Sequence, residues 1–400
     1  MKKILLTTIA LLTVASMQVF GSYGVGSGDW ITFLTDGNRF EAKLDQLGFT
    51  LGNDMIKGTF GFHNDGRGSY GSMLQTASGT SVDGSSQSSN GFFYDFKPTI
   101  SMGLAYTSSL IGIGVGYNAT IGPRWSRYNN KTEPKQVEAV VHTPVLVLNA
   151  LDNAFRMAIP IQVLHLTEKF DGVGKGSITA VSFEAQFRYY TGLEMLPQVR
   201  LYLKYGTYGS EVTPEGGSKI KEKYAESFGF DLRFYFGSMV EEVALQPLVK
   251  LAYNGALGKQ HNQTRVTALG ALDNAATLPT GLLQGTAAPS YGTSYAAAWE
   301  QSAWDLQLML GLGLTANSDI VSLYLEPELG MKVNQAGDSL AKIKEVYGLG
   351  YNVYAEIYIT PIKNLEWYFE AEIGNAMNTT PATAFGFNGT TGVTWYLPAL

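Results

Sequence analysis

LIGIGVGYNATIG, residues 110–122, sets Ile111, Ile113, Val115, Tyr117, Ala119 and Ile121 at every second position, with Gly112, Gly114, Gly116, Asn118 and Thr120 between them. A helix would scatter the three glycines around its circumference and lose about 1 kcal/mol at each relative to alanine. A strand gathers all three on one face. The strand reading leaves one apolar face and one that carries almost no side chain. A sheet with one wetted face carries charge there, yet no charged residue lies between Pro98 and Pro123. The small face is therefore expected to look into a confined or polar interior.

The same rhythm runs along the chain. FFYDFKPTISMGLAY places Phe92, Tyr94, Phe96, Ile100, Met102, Leu104 and Tyr106 on one parity, and Thr107, Ser108 and Ser109 join it to the opening stretch as a tight hairpin. VSFEAQFRYY, VRLYLKY, SFGFDLRFYF and VALQPLVKLAY alternate in the same way, and so do WDLQLMLGLGLT, IVSLYLEPELGMKV, YGLGYNVYAEIYI, LEWYFEAEIG and GTTGVTWYL. No helical domain interrupts the series. Connections alternate too. Short ones fall at 151–154, 237–242, 315–319 and 360–364; long polar ones are expected at 64–91, 123–136, 167–177, 210–222, 258–298 and 334–345.

Composition agrees. The 400 residues include 46 Gly, 23 Tyr and 20 Phe, only 16% are charged, and mean hydropathy is near zero. Absence of cysteine excludes disulfides, thiolate metal sites, a cysteine nucleophile and a lipidated N-terminal cysteine. MKKILLTTIALLTVASMQVFG, residues 1–21, reads as a secretory signal peptide: Lys2 and Lys3 precede an apolar core, and cleavage is placed after Gly21, with Ala15 as the alternative. Losing those lysines makes the chain more acidic than its formal charge of −6, which excludes a nucleic-acid partner.

Each run reaches roughly 10 residues, enough for a tilted strand to cross the hydrocarbon layer, and backbone groups in lipid are satisfied only by closure. Residues 22–400 are thus expected to form one all-β domain, a transmembrane antiparallel barrel of about 14–16 strands with short periplasmic turns and long extracellular loops. A soluble sandwich or propeller is the competing architecture, disfavoured by the uncharged apolar face. Pro98, Pro144, Pro160, Pro247 and Pro327 fall inside strands and are expected at bulges or strand ends. Within residues 22–50, DWITFLTDGNRFEAKLDQLG offers two readings. Trp30, Phe33, Leu34, Phe40, Leu44 and Leu47 suit a helix or plug, giving about 14 strands, whereas RFEAKL alternates, giving about 16.

With the apolar parity toward lipid, Glu184, Arg188, Arg200, Lys204, Asp231, Arg233 and Lys250 point into the lumen as a mainly basic arc. Asp305, Glu326, Glu328, Lys332, Glu356, Glu366, Glu370 and Glu372 follow as a mainly acidic one. If the arcs face each other, they set a transverse field across a water-filled pore, and these residues line it; the competing reading joins them in salt bridges that fill a closed lumen. About 16 strands leave room for water.

No catalytic set is expected. His63, His142, His165 and His261 lie in no metal-ligand spacing, although His142 and His165 can neighbour each other on paired strands as a lumenal or interfacial pair. DGVGKG at 171–176 lacks the GK[ST] ending and following helix of a phosphate loop, HNDGRGS at 63–69 matches no calcium loop, and GSSQSSNG at 84–91 is low-complexity loop. The chain is read as a non-enzyme without metal or cofactor.

The signal peptide, the segments RFEAKLDQLGFTLGND and IKGTFGFH, and the TGVTWYLPAL ending resemble the variable surface outer-membrane proteins of intestinal spirochaetes, over the whole mature chain. The resemblance implies an abundant surface-exposed barrel with antigenically variable loops. Its implied partners are outer-membrane lipid, and host or antibody contacts through the loops. Small ions or solutes join them if the lumen conducts, as in a passive porin; the alternative is a pore-less structural or adhesive coat. The chain departs from the wider outer-membrane class in ending Leu397, Pro398, Ala399, Leu400, so Trp395 and Tyr396 are expected to supply the aromatic insertion signal.

Overall fold

The computed structural model describes residues 30–43, 46–64, 76–80, 86–92, 98–121, 136–170, 174–240, 243–258, 264–274, 302–335, 345–374 and 386–398. The signal-peptide segment, residues 123–135, most of 258–298 and residues 336–344 of the expected 334–345 loop lie outside them.

Sixteen antiparallel strands close into a barrel. They are β1 (Arg39–Lys43), β2 (Gln46–Gly52), β3 (Ile56–Asn64), β4 (Pro98–Thr107), β5 (Ile111–Ile121), β6 (Gln136–Ala150), β7 (Phe155–Phe170), β8 (Gly174–Tyr190), β9 (Gln198–Pro214), β10 (Ile220–Tyr235), β11 (Val243–Ala256), β12 (Trp304–Asn317), β13 (Val321–Gln335), β14 (Val346–Ile362), β15 (Leu365–Gly374) and β16 (Gly386–Tyr396). Each pairs with its neighbours in sequence, and β1 pairs with β16 from Arg39↔Tyr396 to Lys43↔Gly392. Closure leaves no free sheet for lipid to solvate, as a transmembrane barrel requires. Three-residue Ser238–Val240 folds back on β11, and Thr76–Thr80 pairs with Ser86–Phe92 as a separate hairpin inside the expected 64–91 loop.

The opening stretch became β5 with the expected parity. Ile111, Ile113 and Val115 are 46, 47 and 60% exposed on the outer face, while Gly112, Gly114, Asn118 and Thr120 are buried on the inner one. No described helix is long and apolar enough to cross a membrane, and the outward bands of strand side chains do so instead.

The short turns match expectation. Leu151, Asp152 and Asn153 all take positive φ, at 56, 54 and 62°, and Asn364 does so at 68°. Two expected loops are corrected. Residues 167–177 and 210–222 are mostly strand: β7 and β8 leave only 171–173 between them, and β9 and β10 leave 215–219. These strands continue beyond the apolar band, where both faces are polar and alternation fades from the sequence. Wall height accordingly varies, from 5 and 7 residues in β1 and β2 to 17 in β8, β9 and β14.

The prolines differ from expectation in an instructive way. Pro98 starts a strand, as expected. Pro144, Pro160 and Pro327 produce no bulge. The β6–β7 ladder skips from His142↔Val163 to Val145↔Pro160 and keeps its register, and the β12–β13 ladder skips likewise from Gly311↔Glu328 to Leu314↔Leu325. A missing donor costs a local pair, and the long flanking ladders hold the strands in line.

Candidate functional site: the lumen

Both readings of residues 22–50 are partly realised. Trp30–Thr35 coils into a turn inside the barrel, and residues 39–43 and 46–52 are strands. Phe33 N–H donates to the Trp30 carbonyl (3.2 Å) and Asp36 N–H to that of Thr32 (2.9 Å), after which Gly37 and Asn38 release the chain into β1. Trp30 and Phe33 meet edge to face with centroids 5.6 Å apart, and both are fully buried. They pack against the glycine face of β4 and β5. A Cβ on Gly103 would lie 2.8 Å from the Trp30 ring, and one on Gly116 would overlap it. The missing side chains of the opening stretch are the seat of this plug. Polar ties fix it: Lys57 Nζ donates to the carbonyls of Leu34 (2.8 Å) and Asp36 (2.7 Å), Arg156 donates to Thr35 Oγ1 (3.0 Å), and Arg39 pairs with Asp36 at 2.8 Å and Glu41 at 2.6 Å.

A second insertion enters from the long-loop rim. Thr264–Thr267 leads into helix α1 (Ala268–Asn274), whose Gly270 N–H is capped by Thr267 Oγ1 at 2.9 Å. Ser227 Oγ accepts from Val266 N–H and Ser182 Oγ from Ala268 N–H, each at 2.9 Å, while Ser182 donates to Gln162 (3.1 Å). Gly206 admits the Val266 backbone, which any Cβ there would overlap. Ala268 and Ala271 then bury themselves against Val141, Leu164, Ile178, Ala180, Tyr208 and Ala225 of the inner wall. The described part of VTALGALDNAATL, residues 266–274 of the loop expected at 258–298, thus lies against the inner wall rather than on the rim. Beneath it a cavity of 240 Å³ is lined by Gln162, Ser182, Glu184, Lys204, Asn254 and Arg265, among others.

All fifteen charged residues singled out in sequence fall on the inner parity, the face that carries the plug and α1. Their arrangement differs from the facing arcs expected. The basic arc occupies β8–β11 and the acidic arc β12–β15, so they adjoin along the wall, and the acidic arc looks across at the strands bearing the plug. Alternation fixes which face a residue takes; position around the ring follows from strand order.

Each arc solves burial differently. In the basic arc two guanidiniums lie over tyrosine rings, Arg200 over Tyr235 (4.5 Å to the centroid) and Arg233 over Tyr202 (4.9 Å), and on the adjoining β7 Arg156 lies over Tyr190 (4.9 Å). Arg233 also grips Asp231 with two bonds of 2.8 and 3.0 Å, Lys204 stands 3.6 Å from Glu184, and Arg188 is buried. The acidic arc uses tyrosine hydroxyls as donors. Tyr324 donates to Glu326, Tyr396 to Glu366 (3.1 Å), and Tyr358 to Glu356 (3.0 Å). Tyr354 lies against both Glu356 and Glu370, the latter at 3.0 Å, with one proton for two acceptors. Asn254 donates to Asp305 at 2.9 Å; Lys250 and Lys332 also face inward. Sequence reasoning took the charges and missed these tyrosines, whose signal was present: they share the glutamates' parity.

His142 and His165 face outward, on the interfacial side of the earlier alternatives, and His142 Nδ1 bonds the Tyr117 hydroxyl. Among the described residues no group of three or more His, Asp or Glu converges as metal ligands.

Among solved structures, the transport unit of the autotransporter AIDA-I from Escherichia coli matches at 9% identity, over 75% of this chain and 84% of that one, with a TM-score of 0.32. The β domain of the Bordetella autotransporter BrkA matches at 10% identity over 90% and 100%, and the translocator domain of NalP from Neisseria meningitidis at 11% over 93% and 92%, both with a TM-score of 0.32. The barrel assignment stands on strand register and closure rather than on these likenesses. No curated protein matches the chain. The sequence pattern of the Serpulina hyodysenteriae variable surface protein matches residues 2–396, and a chain that carries that pattern over nearly its whole length, folded as an outer-membrane barrel, belongs to this variable surface protein family.

Proposed function

We propose that the barrel is a surface-exposed antigen whose lumen is a passive, modestly cation-preferring diffusion pore. Exposure of the long-loop rim to the medium is part of this reading, as is a role in solute passage rather than in chemistry. The observation that carries the porin half is the pattern of ion pairs. A lumen closed by salt bridges needs acids of β12–β15 joined to bases of β8–β11, whereas the pairs Lys204–Glu184 and Arg233–Asp231 lie within the basic arc and Glu326, Glu356 and Glu366 are held by tyrosine hydroxyls. The plug packs against strands of β4–β7 and the α1 segment against strands of β6–β10, and we read the acidic wall as the side along which solutes pass. Low-dielectric walls focus the field of that wall on permeating ions.

Planar-bilayer recording tests this. Folded, heat-modifiable protein should give steps of conductance, with a reversal potential in a salt gradient that favours cations. Neutralising Glu366, Glu370 and Glu372 together should reduce that preference, and neutralising Arg200, Lys204 and Arg233 should strengthen it. Folded protein without conductance would leave the pore-less coat as the description, which the two insertions favour.

A further inference from the structure

On the inner face of β13–β15 the tyrosines and carboxylates form a checkerboard. Strand register pairs Glu326 with Tyr354 and Tyr354 with Glu372, and in the next row Glu328 with Asn352 and Asn352 with Gly374. Asn352 Nδ2 donates to Glu372 Oε1 at 2.8 Å. Two buried acceptors are left over. Glu328 Oε2 and Asn352 Oδ1 have no hydrogen-bond partner, in side chains only 6% exposed, and Lys250 and Arg233 act on the Glu328 charge through space without bonding that oxygen. A buried, unpaired carboxylate oxygen is costly and is relieved by a cation that also donates hydrogen bonds.

Spacing selects the kind of cation. A metal ion needs oxygens converging within about 2.3–2.6 Å of one point. Here successive acids on one strand stand about 6.8 Å apart, adjoining strands about 4.8 Å apart, and phenol rings fill the squares between. Carboxylates separated by aromatic faces suit ammonium groups joined by short carbon chains: each nitrogen meets a carboxylate and an amide oxygen, and the methylenes lie on tyrosine rings. We propose that the surface around Glu328, Asn352 and Glu372 binds organic ammonium ions, diamines and polyamines above all. The inference deepens the porin reading and rests on it for access from the bulk, so the two are tested separately.

Spermidine serves as the probe. In bilayers it should reduce conductance at concentrations at which magnesium, at equal ionic strength, leaves it unchanged. The half-blocking concentration should rise at least tenfold in Glu328→Gln/Glu372→Gln and severalfold in Tyr354→Ala, and stay near the wild-type value in Tyr354→Phe, which keeps the ring. A conducting wild-type channel indifferent to spermidine, or blocked equally by magnesium, overturns the proposal while leaving the porin intact. Titration calorimetry of spermidine into the folded wild-type protein in detergent covers the remaining case: saturable binding without conductance keeps the site and removes the pore, and absence of binding removes the site.

Discussion

Gly116 shows how a residue that contributes no side chain positions one that does. Its hydrogen leaves the volume that the Trp30 indole fills, so Gly116→Leu forces plug or wall to move. Overpacking of this kind costs about 1–3 kcal/mol. The unfolding midpoint in urea should fall accordingly, and Trp30→Ala in the same chain should restore part of the loss; equal, additive losses would place the indole elsewhere. On the opposite face, Ile113→Arg should cost about 2–4 kcal/mol if that site lies near the bilayer midplane, and the same titration in lipid measures it. Parity was legible at this scale because alternation is a local property. What the glycines were for was not, since their partner lies some eighty residues upstream and joins them only on closure.

At the scale of elements, the inward segment that carries α1 is held by two serine hydroxyls, one glycine and a patch of alanines. Ala271→Cys, at a position only 2% exposed, should react with an impermeant maleimide far more slowly than Gly216→Cys at the β9–β10 tip. Gly206→Ala should displace Val266 and raise both that labelling rate and single-channel conductance. Unchanged labelling in Gly206→Ala would mean that the segment does not depend on this seat. VTALGALDNAATL announced its need for apolar company, yet the alternatives of rim and lumen differ only in distant partners. The strand extensions misread as loops at 167–177 and 210–222 failed for a related reason: above the apolar band neither face is greasy, and pairing with a neighbouring strand supplies the order that alternation no longer reveals.

Seen as a whole, a closed ring of about 14–16 strands was readable, and its azimuthal layout was not: strand order, rather than periodicity, sets the two arcs side by side. Orientation is open to a direct check. A protease site inserted after Gly216 should be cut on intact cells and one inserted after Asp152 should be spared, and the reverse result would invert the barrel. The seam between β1 and β16 has a further consequence. Asn38 at its foot bonds both Gly52 and the carbonyl of Pro398, so the first and last described residues of the wall are buttoned together beside the plug. Once that button fastens, Trp30–Thr35 sits within a ring with no opening in its side. Asp36 of the plug pairs with Arg39 of β1, which stands opposite Tyr396 of β16, so the seat of the plug and the clasp that joins the last strand to the first are one piece of structure, and loosening either loosens the other.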